Sequence, residues 1–261
     1  MTDARPRLDL AREQARRGFQ AQLDDLLDIE SGLDEKPVAL VTGATRGIGL
    51  AIARELGRTH RVLVGGRERA ACEAVCRELP DAKPFVADLA DADAVAQAAA
   101  GVLKLDVLVH SAGVIGAYER VDALTRDDFR RTFELNVIAV ADLTRLVLPR
   151  LRARKGLVVA INSGSGYTSG VRGAVYSGSK FALRALTDAL REEEREHRVR
   201  VSSIHPGRVA TDMQRELRAA EGGEYREEDY LRPEAVAEAV RLAVDTPRGG
   251  SVDELRIRPQ G

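Results

Sequence analysis

VALVTGATRGIGLAIAREL, residues 38–56, joins a short apolar run to a glycine-rich turn and then to a segment with helical spacing. The run is nearly continuous in Val, Leu and Ala, the pattern of a strand buried on both faces of a parallel sheet. Gly43, Gly47 and Gly49 remove side chains where the backbone must turn tightly and approach an anion. Thr45, Arg46 and Ile48 between them open the helix, whose first free amides then face a pyrophosphate. A glycine turn by itself is weak evidence, since many strand–helix turns carry glycine for steric reasons. Its place directly after the first strand is what raises its meaning.

Working outward, similar runs recur to the end of the chain: RVLVG (61–65), KPFVA (83–87), DVLVH (106–110), GLVVAIN (156–162), RVSSI (200–204) and SVDELRI (251–257). Helical patterns separate them. Seven such strands alternating with helices predict an α/β fold of the Rossmann type, a doubly wound, seven-stranded parallel sheet with helices on both faces. Right-handed crossovers then bring every loop that follows a strand to one sheet edge, where ligands bind. The expected domain spans 37–261. Residues 1–36 stand apart as a helical extension, with Leu8, Ala15, Phe19, Leu23 and Leu26 near one face and Gly32 as a stop. Its acidic residues Asp24, Asp25, Asp28 and Glu30 argue for packing on protein rather than on anionic lipid.

Composition narrows the function classes. Forty basic residues against forty-one acidic leave a net charge of −1, without the broad positive field of a general nucleic-acid binder. No apolar run reaches the ~18 residues of a membrane span, and the first residues lack the apolar segment of a signal peptide. The expectation is a cytoplasmic protein acting on a small molecule. Cys72 and Cys76, four apart, read as small core residues and not as a metal or redox pair.

The end of the second strand bears on which nucleotide is bound. A fold selecting a free 2′-hydroxyl places Asp or Glu there. Here the strand ends Gly65-Gly66-Arg67, and a guanidinium suits a 2′-phosphate. Arg46 in the glycine loop can reach the same group, so NADP(H) is expected over NAD(H). Glu68 reads as a helix-start residue. Asp88-Leu89, after strand three, reads either as a helix start or as a contact to the adenine edge. His110, at the end of strand four, reads as a structural hydrogen-bonder.

Tyr176-Ser177-Gly178-Ser179-Lys180 opens a further helix. Tyr176 and Lys180, four apart, share one face of it. A neighbouring ammonium favours the phenolate, and lowering a phenol by about three pKa units takes ~4 kcal/mol. Such a phenol exchanges protons with a substrate alcohol or carbonyl. Ser163, thirteen residues upstream at the end of strand five, is placed to hold the same oxygen.

Together these motifs resemble the short-chain dehydrogenase/reductase family in its compact single-domain branch. TGATRGIG is similar to the family's cofactor loop, Asp88-Leu89 to its adenine contact, and YSGSK with Ser163 to its catalytic set; the likeness runs over roughly residues 38–258. The resemblance implies more than spacing does. Asn136 in FELNVIAV takes the place of an Asn that kinks a helix and anchors a water in a proton relay. Lys180 also binds the nicotinamide ribose. Pro206, Gly207, Val209 and Thr211 belong to a loop holding the carboxamide side of the nicotinamide. Ala112 and Gly113 carry over as cofactor contacts. Ser111 follows a His110 that departs from the family's usual Asn-Asn-Ala-Gly turn. The resemblance further implies a homodimer or homotetramer, and a flap between Asp212 and Leu231.

The function implied is NADP(H)-dependent interconversion of a carbonyl and a secondary alcohol. Two other readings compete with it. A sugar-nucleotide epimerase relative would use the same Tyr and Lys, but with a Gly-x-x-Gly-x-x-Gly loop and a longer chain. A non-catalytic nucleotide sensor or scaffold would be supported by a missing Tyr or Lys, and both are present.

Overall fold

The computed structural model describes residues 36–260. The helical extension expected over residues 1–36 therefore lies outside the described residues, save Lys36. Seven strands run β1 (Val38–Val41), β2 (Arg61–Gly66), β3 (Ala82–Val86), β4 (Val107–His110), β5 (Leu157–Ile161), β6 (Arg200–Pro206) and β7 (Glu254–Ile257). They form one parallel sheet in the order β3-β2-β1-β4-β5-β6-β7. The order reverses between β1 and β4, so the loops after these two strands diverge and open a crevice.

Side chains alternate across the sheet as the strand period requires. Ala39 and Val41 pack into the core on one side, with Ile52 and Leu56 of helix α1 (Gly47–Leu56). Val38 and Leu40 pack into the core on the other side, with Leu143, Val147 and Leu151. Those three belong to helix α5 (Ala139–Arg154), which follows α2 (Arg69–Glu78), α3 (Ala92–Ala100) and α4 (Arg126–Phe133). Val107 and Val109 of β4 repeat the first assignment and Leu108 the second. Both faces of the central strands β1 and β5 are covered, which is why these read as unbroken apolar runs, whereas β7 (ELRI) at the sheet edge is partly exposed.

Between α4 and α5 the helix widens to a π turn over Glu134–Ile138, with Asn136 at its centre. A π turn of this kind is one of the features that bend helices. Three further helices complete the chain, α6 (Ala174–Glu193), α7 (Asp212–Ala220) and α8 (Pro233–Asp245).

Not all of Glu192-Glu193-Glu194 forms the wet surface that an acidic run suggests. Glu194 is 1% exposed and binds Arg152 through both oxygens, at 2.6 and 2.9 Å. A carboxylate closing a helix beside an arginine is removed from water by that pair. Arg152→Ala should strand it and cost about 2 kcal/mol, less than for a wholly buried pair because water still reaches the Arg152 side. Chemical denaturation measures this, and an unchanged midpoint would rule out a stabilising role for the pair.

Candidate active site

The crevice between the β1 and β4 loops is a cleft of about 640 Å³, within the ~300–1,000 Å³ range of small-molecule and cofactor sites. Its floor is the glycine turn. Gly43 has φ +63°, and a Cβ built there would lie 2.9 Å from the Ala112 Cα; one at Gly49 would overlap the Gly43 carbonyl oxygen. The backbone is thus bare where an anion would sit, beside the free amides that begin α1. Thr42 ties the two walls together: its hydroxyl accepts from the amides of Ser111 and Ala112 at 3.0 and 3.1 Å. A phosphate-bearing dinucleotide fits this cradle.

Most of the residues expected to hold such a ligand line the cleft: Gly43, Thr45, Arg46, Gly47, Ile48, Gly49, Arg67, Asp88, Leu89, Ser111, Ala112, Gly113 and Thr211. Arg67 is exposed at the end of β2, while Glu68 serves as the N-cap of α2 and does not reach the cleft. Asp88 is not a helix start. That cap is Asp91, whose carboxylate accepts from the amides of Asp93 and Ala94, and Asp88 is left at the cleft wall. Arg46 lies 3.9 Å from Asp212 across the cleft, both side chains largely exposed.

Pro206, Gly207 and Val209 do not line this cleft; the Pro206 carbonyl oxygen lies beside the Ser163 turn, 3.9 Å from where a Cβ on Gly164 would stand. Pro206 ends β6, the Gly207 amide donates to the Ile257 carbonyl at 2.7 Å, and Val209 is buried in the core beside β1. Of the residues expected from this loop, Thr211, the cap of α7, lines the cleft. Sequence reasoning in turn missed a whole wall, Arg130, Arg131, Glu134 and Leu135. These stand about one turn apart just before Asn136, and only that spacing could have signalled them.

The region from Asp212 to Leu231 has packing of its own. Asp212 and Met213 line the cleft. Glu221 takes both Arg208 and Arg218, and Tyr225 stacks on Tyr230 at 5.0 Å under the Arg215 guanidinium.

Ser163, Tyr176, Lys180 and Asn136 form a second group that meets the cleft at Gly113. A Cβ built on Gly113 would stand 3.2 Å from Asn136 Oδ1 and 3.9 Å from Lys180 Nζ. Tyr176 and Lys180 rise from the first turns of α6, with the Lys180 nitrogen 5.7 Å from the Tyr176 ring centroid. That nitrogen donates to the Ile161 carbonyl at 3.0 Å, and burial lowers its pKa to about 8. It keeps most of its charge at neutral pH and loses it as pH rises through about 8.

The expected depression of the phenol is not produced by these side chains alone. Burial pushes Tyr176 up, and a hydrogen bond with Ser163 pulls the other way. Desolvation of the phenolate outweighs what Ser163 returns. The Ser163 hydroxyl also accepts from the Ser165 amide at 3.1 Å.

Asn136 spends its side chain on structure. Its amide donates to the Val114 carbonyl at 2.8 Å and to Ser179 Oγ at 3.0 Å, and its Oδ1 accepts from the Val114 amide at 2.9 Å. Both amide hydrogens are thus spent, which leaves its backbone carbonyl and one Oδ1 lone pair to accept from a water. His110 is buried, bonds Thr144 through Nε2 at 2.8 Å, and is lowered by burial to about 3; it is a neutral structural group, as expected. Cys72 is fully buried against Gly66.

Comparison with known proteins agrees with this geometry. The family model described as short chain dehydrogenase matches residues 37–222. An uncharacterized short-chain type dehydrogenase/reductase of Sinorhizobium fredii is 35% identical over 229 residues, covering 86% of this chain and 92% of that protein. Among solved structures, an alcohol dehydrogenase from the archaeon Thermococcus sibiricus, complexed with 5-hydroxy-NADP, superposes with a TM-score of 0.78 at 30% identity, covering 86% of this chain and 97% of that one. A metagenomic short-chain oxidoreductase in complex with NADP gives 0.74 at 32%, covering 87% and 99%. Among the described residues, no helix is long and apolar enough to cross a membrane.

Proposed function

The chain belongs to the short-chain dehydrogenase family, and on that premise we propose that it is an NADP(H)-dependent oxidoreductase interconverting a carbonyl and a secondary alcohol, with Tyr176 moving the proton. The observation that carries this reading is the meeting, at Gly113, of a phosphate cradle with a half-buried phenol and a buried ammonium.

When bound, a nicotinamide dinucleotide supplies a hydride donor or acceptor. The chain's own residues do the rest. The bare backbone of Gly43, Gly47 and Gly49 and the α1 amides hold the pyrophosphate. Asp88 and Leu89 frame the adenine, and Ser111, Ala112 and Thr211 close the cleft around the ligand. Lys180 binds the ribose hydroxyls and places positive charge beside Tyr176. Ser163 orients the substrate oxygen and Tyr176 gives or takes its proton. Asn136 holds the Val114 loop in place and leaves its backbone carbonyl for a relay water.

Arg67 and Arg46 support the choice of NADP(H), since both line the cleft and present guanidinium groups suited to a 2′-phosphate. The complexes of two related structures with NADP or 5-hydroxy-NADP favour the same nucleotide. Arg67→Asp should weaken NADPH binding about 100-fold while changing NADH much less, because charge-assisted bonds are lost and a carboxylate faces the phosphate. Fluorescence titration with both nucleotides checks this; equal losses for the two would remove Arg67 from phosphate recognition. Oxidation of NADPH across a panel of aldehydes, ketones, quinones and β-ketoacyl thioesters tests the activity itself. A chain that binds NADPH and reduces none of them would be a sensor instead.

A further inference from the structure

Behind the Ser163 turn lies a buried polar column that the chemistry above does not use. His205, near the end of β6, is 1% exposed, and its Nδ1 stands 3.0 Å from the Ser163 carbonyl oxygen. A carbonyl only accepts, so Nδ1 carries the proton and donates. Burial holds the imidazole below its ordinary pKa, which keeps the ring neutral and that tautomer available at neutral pH.

The ring packs against Tyr167 with centroids 4.6 Å apart and planes at 53°. The Tyr167 hydroxyl donates to Glu254 Oε2 at 2.6 Å, and its oxygen lies 3.4 Å from His205 Nε2. Arg256 covers the Tyr167 ring at 3.3 Å and Arg184 at 4.5 Å. Arg184 sits four residues beyond Lys180 on α6, so the helix that presents the phenol and ammonium also braces this column. The titratable and charged groups around His205 are thus Tyr167 on the turn, Arg184 on α6, and Glu254 and Arg256 on β7.

The turn itself is short. It is a single 3₁₀ turn, Gly164-Ser165-Gly166, closed by the Gly166 amide on the Ser163 carbonyl at 3.0 Å, the same oxygen that His205 meets. The Ser163 hydroxyl accepts from the Ser165 amide and meets Tyr176, while the Ser163 amide donates to Asn162 Oδ1 at 3.0 Å.

We propose that His205, held in place by Tyr167 and Glu254, is a positioning residue that fixes the Ser163 backbone and so keeps the Ser163 hydroxyl aimed at the oxygen served by Tyr176. The inference rests on the functional reading above. Its test is a double-mutant cycle with Ser163, because a residue that acts through Ser163 has nothing left to position once the hydroxyl is gone.

His205→Leu should lower kcat about tenfold, with carbonyl KM and NADPH Kd changing by less than about twofold. His205→Asn, which restores a donor near Nδ1, should recover most of that loss. In the Ser163→Ala background His205→Leu should change kcat by less than about twofold. Should His205→Leu not fold, Tyr167→Phe keeps the ring and removes the tie to Glu254; it should lower kcat about threefold, and not at all in the Ser163→Ala background. An undiminished further loss in that background overturns the inference, as does parental kcat in His205→Leu. A parent that reduces no carbonyl overturns the functional reading and this inference together, whereas an active parent with additive losses overturns the inference alone.

Discussion

Tyr176→Phe should lower kcat for carbonyl reduction by about 10³-fold while leaving NADPH affinity within a factor of about three. The substitution removes one oxygen from a half-buried side chain on the first turns of α6 and leaves the ring, the Lys180 amine and the glycine cradle where they are. The phosphate cradle, where most of the nucleotide's charge would be held, is built from other residues. Chemistry depends on the proton. Burial holds the free phenol above its ordinary pKa, and Ser163 offsets this only in part. The remaining bias must come from charge that arrives beside the ring, for which the Lys180 ammonium is the chain's own source. Steady-state turnover and fluorescence titration on the same preparation separate the two effects. Parental turnover in the variant would end the assignment of Tyr176 as acid and base.

Gly49→Ala is the second change with a large expected effect, and it acts on the frame of the site. The added Cβ would overlap the Gly43 carbonyl oxygen and lie 2.7 Å from its carbon. Both are backbone atoms of the tight turn, so no side chain can rotate away. Gly43 in turn sits at φ +63° against Ala112, which leaves it no free direction. Relief requires the turn and α1 to separate, at a cost of about 3 kcal/mol or more. For a domain of this size that lowers Tm by roughly 6–12 °C, and the displaced amides should weaken NADPH binding as well. Thermal unfolding with and without NADPH reads both effects, and a parental Tm would contradict the close approach of the turn to α1.

The architecture was open to reading because the parallel sheet writes itself into every strand. Buried on both sides, β1 and β5 show unbroken Val, Leu, Ile and Ala, as does β4 as far as His110, and the turns that follow them carry the glycines. The cradle was legible for the same reason, since bare backbone can only be encoded as glycine. The wall from Arg130 to Leu135 was not, because its residues belong to an ordinary charged helix face and gain meaning only when α4 is laid beside the β4 loop. Glu194 was not legible because an acidic run does not reveal which member meets an arginine from another helix. Asn136 reads from its sequence context as one polar residue in a helix, and only the fold shows its side chain bound to Val114 and Ser179.

The central claim is that the dinucleotide lies in the glycine cleft with its nicotinamide at the Gly113 end, against Tyr176 and Lys180. A crystal structure of the chain with NADP⁺ tests it most directly. The pyridine ring is expected beside the Tyr176 hydroxyl, with the ribose hydroxyls on Lys180 Nζ and the 2′-phosphate between Arg46 and Arg67. A ring lodged away from Tyr176, or a 2′-phosphate pointing to solvent clear of both arginines, would contradict it.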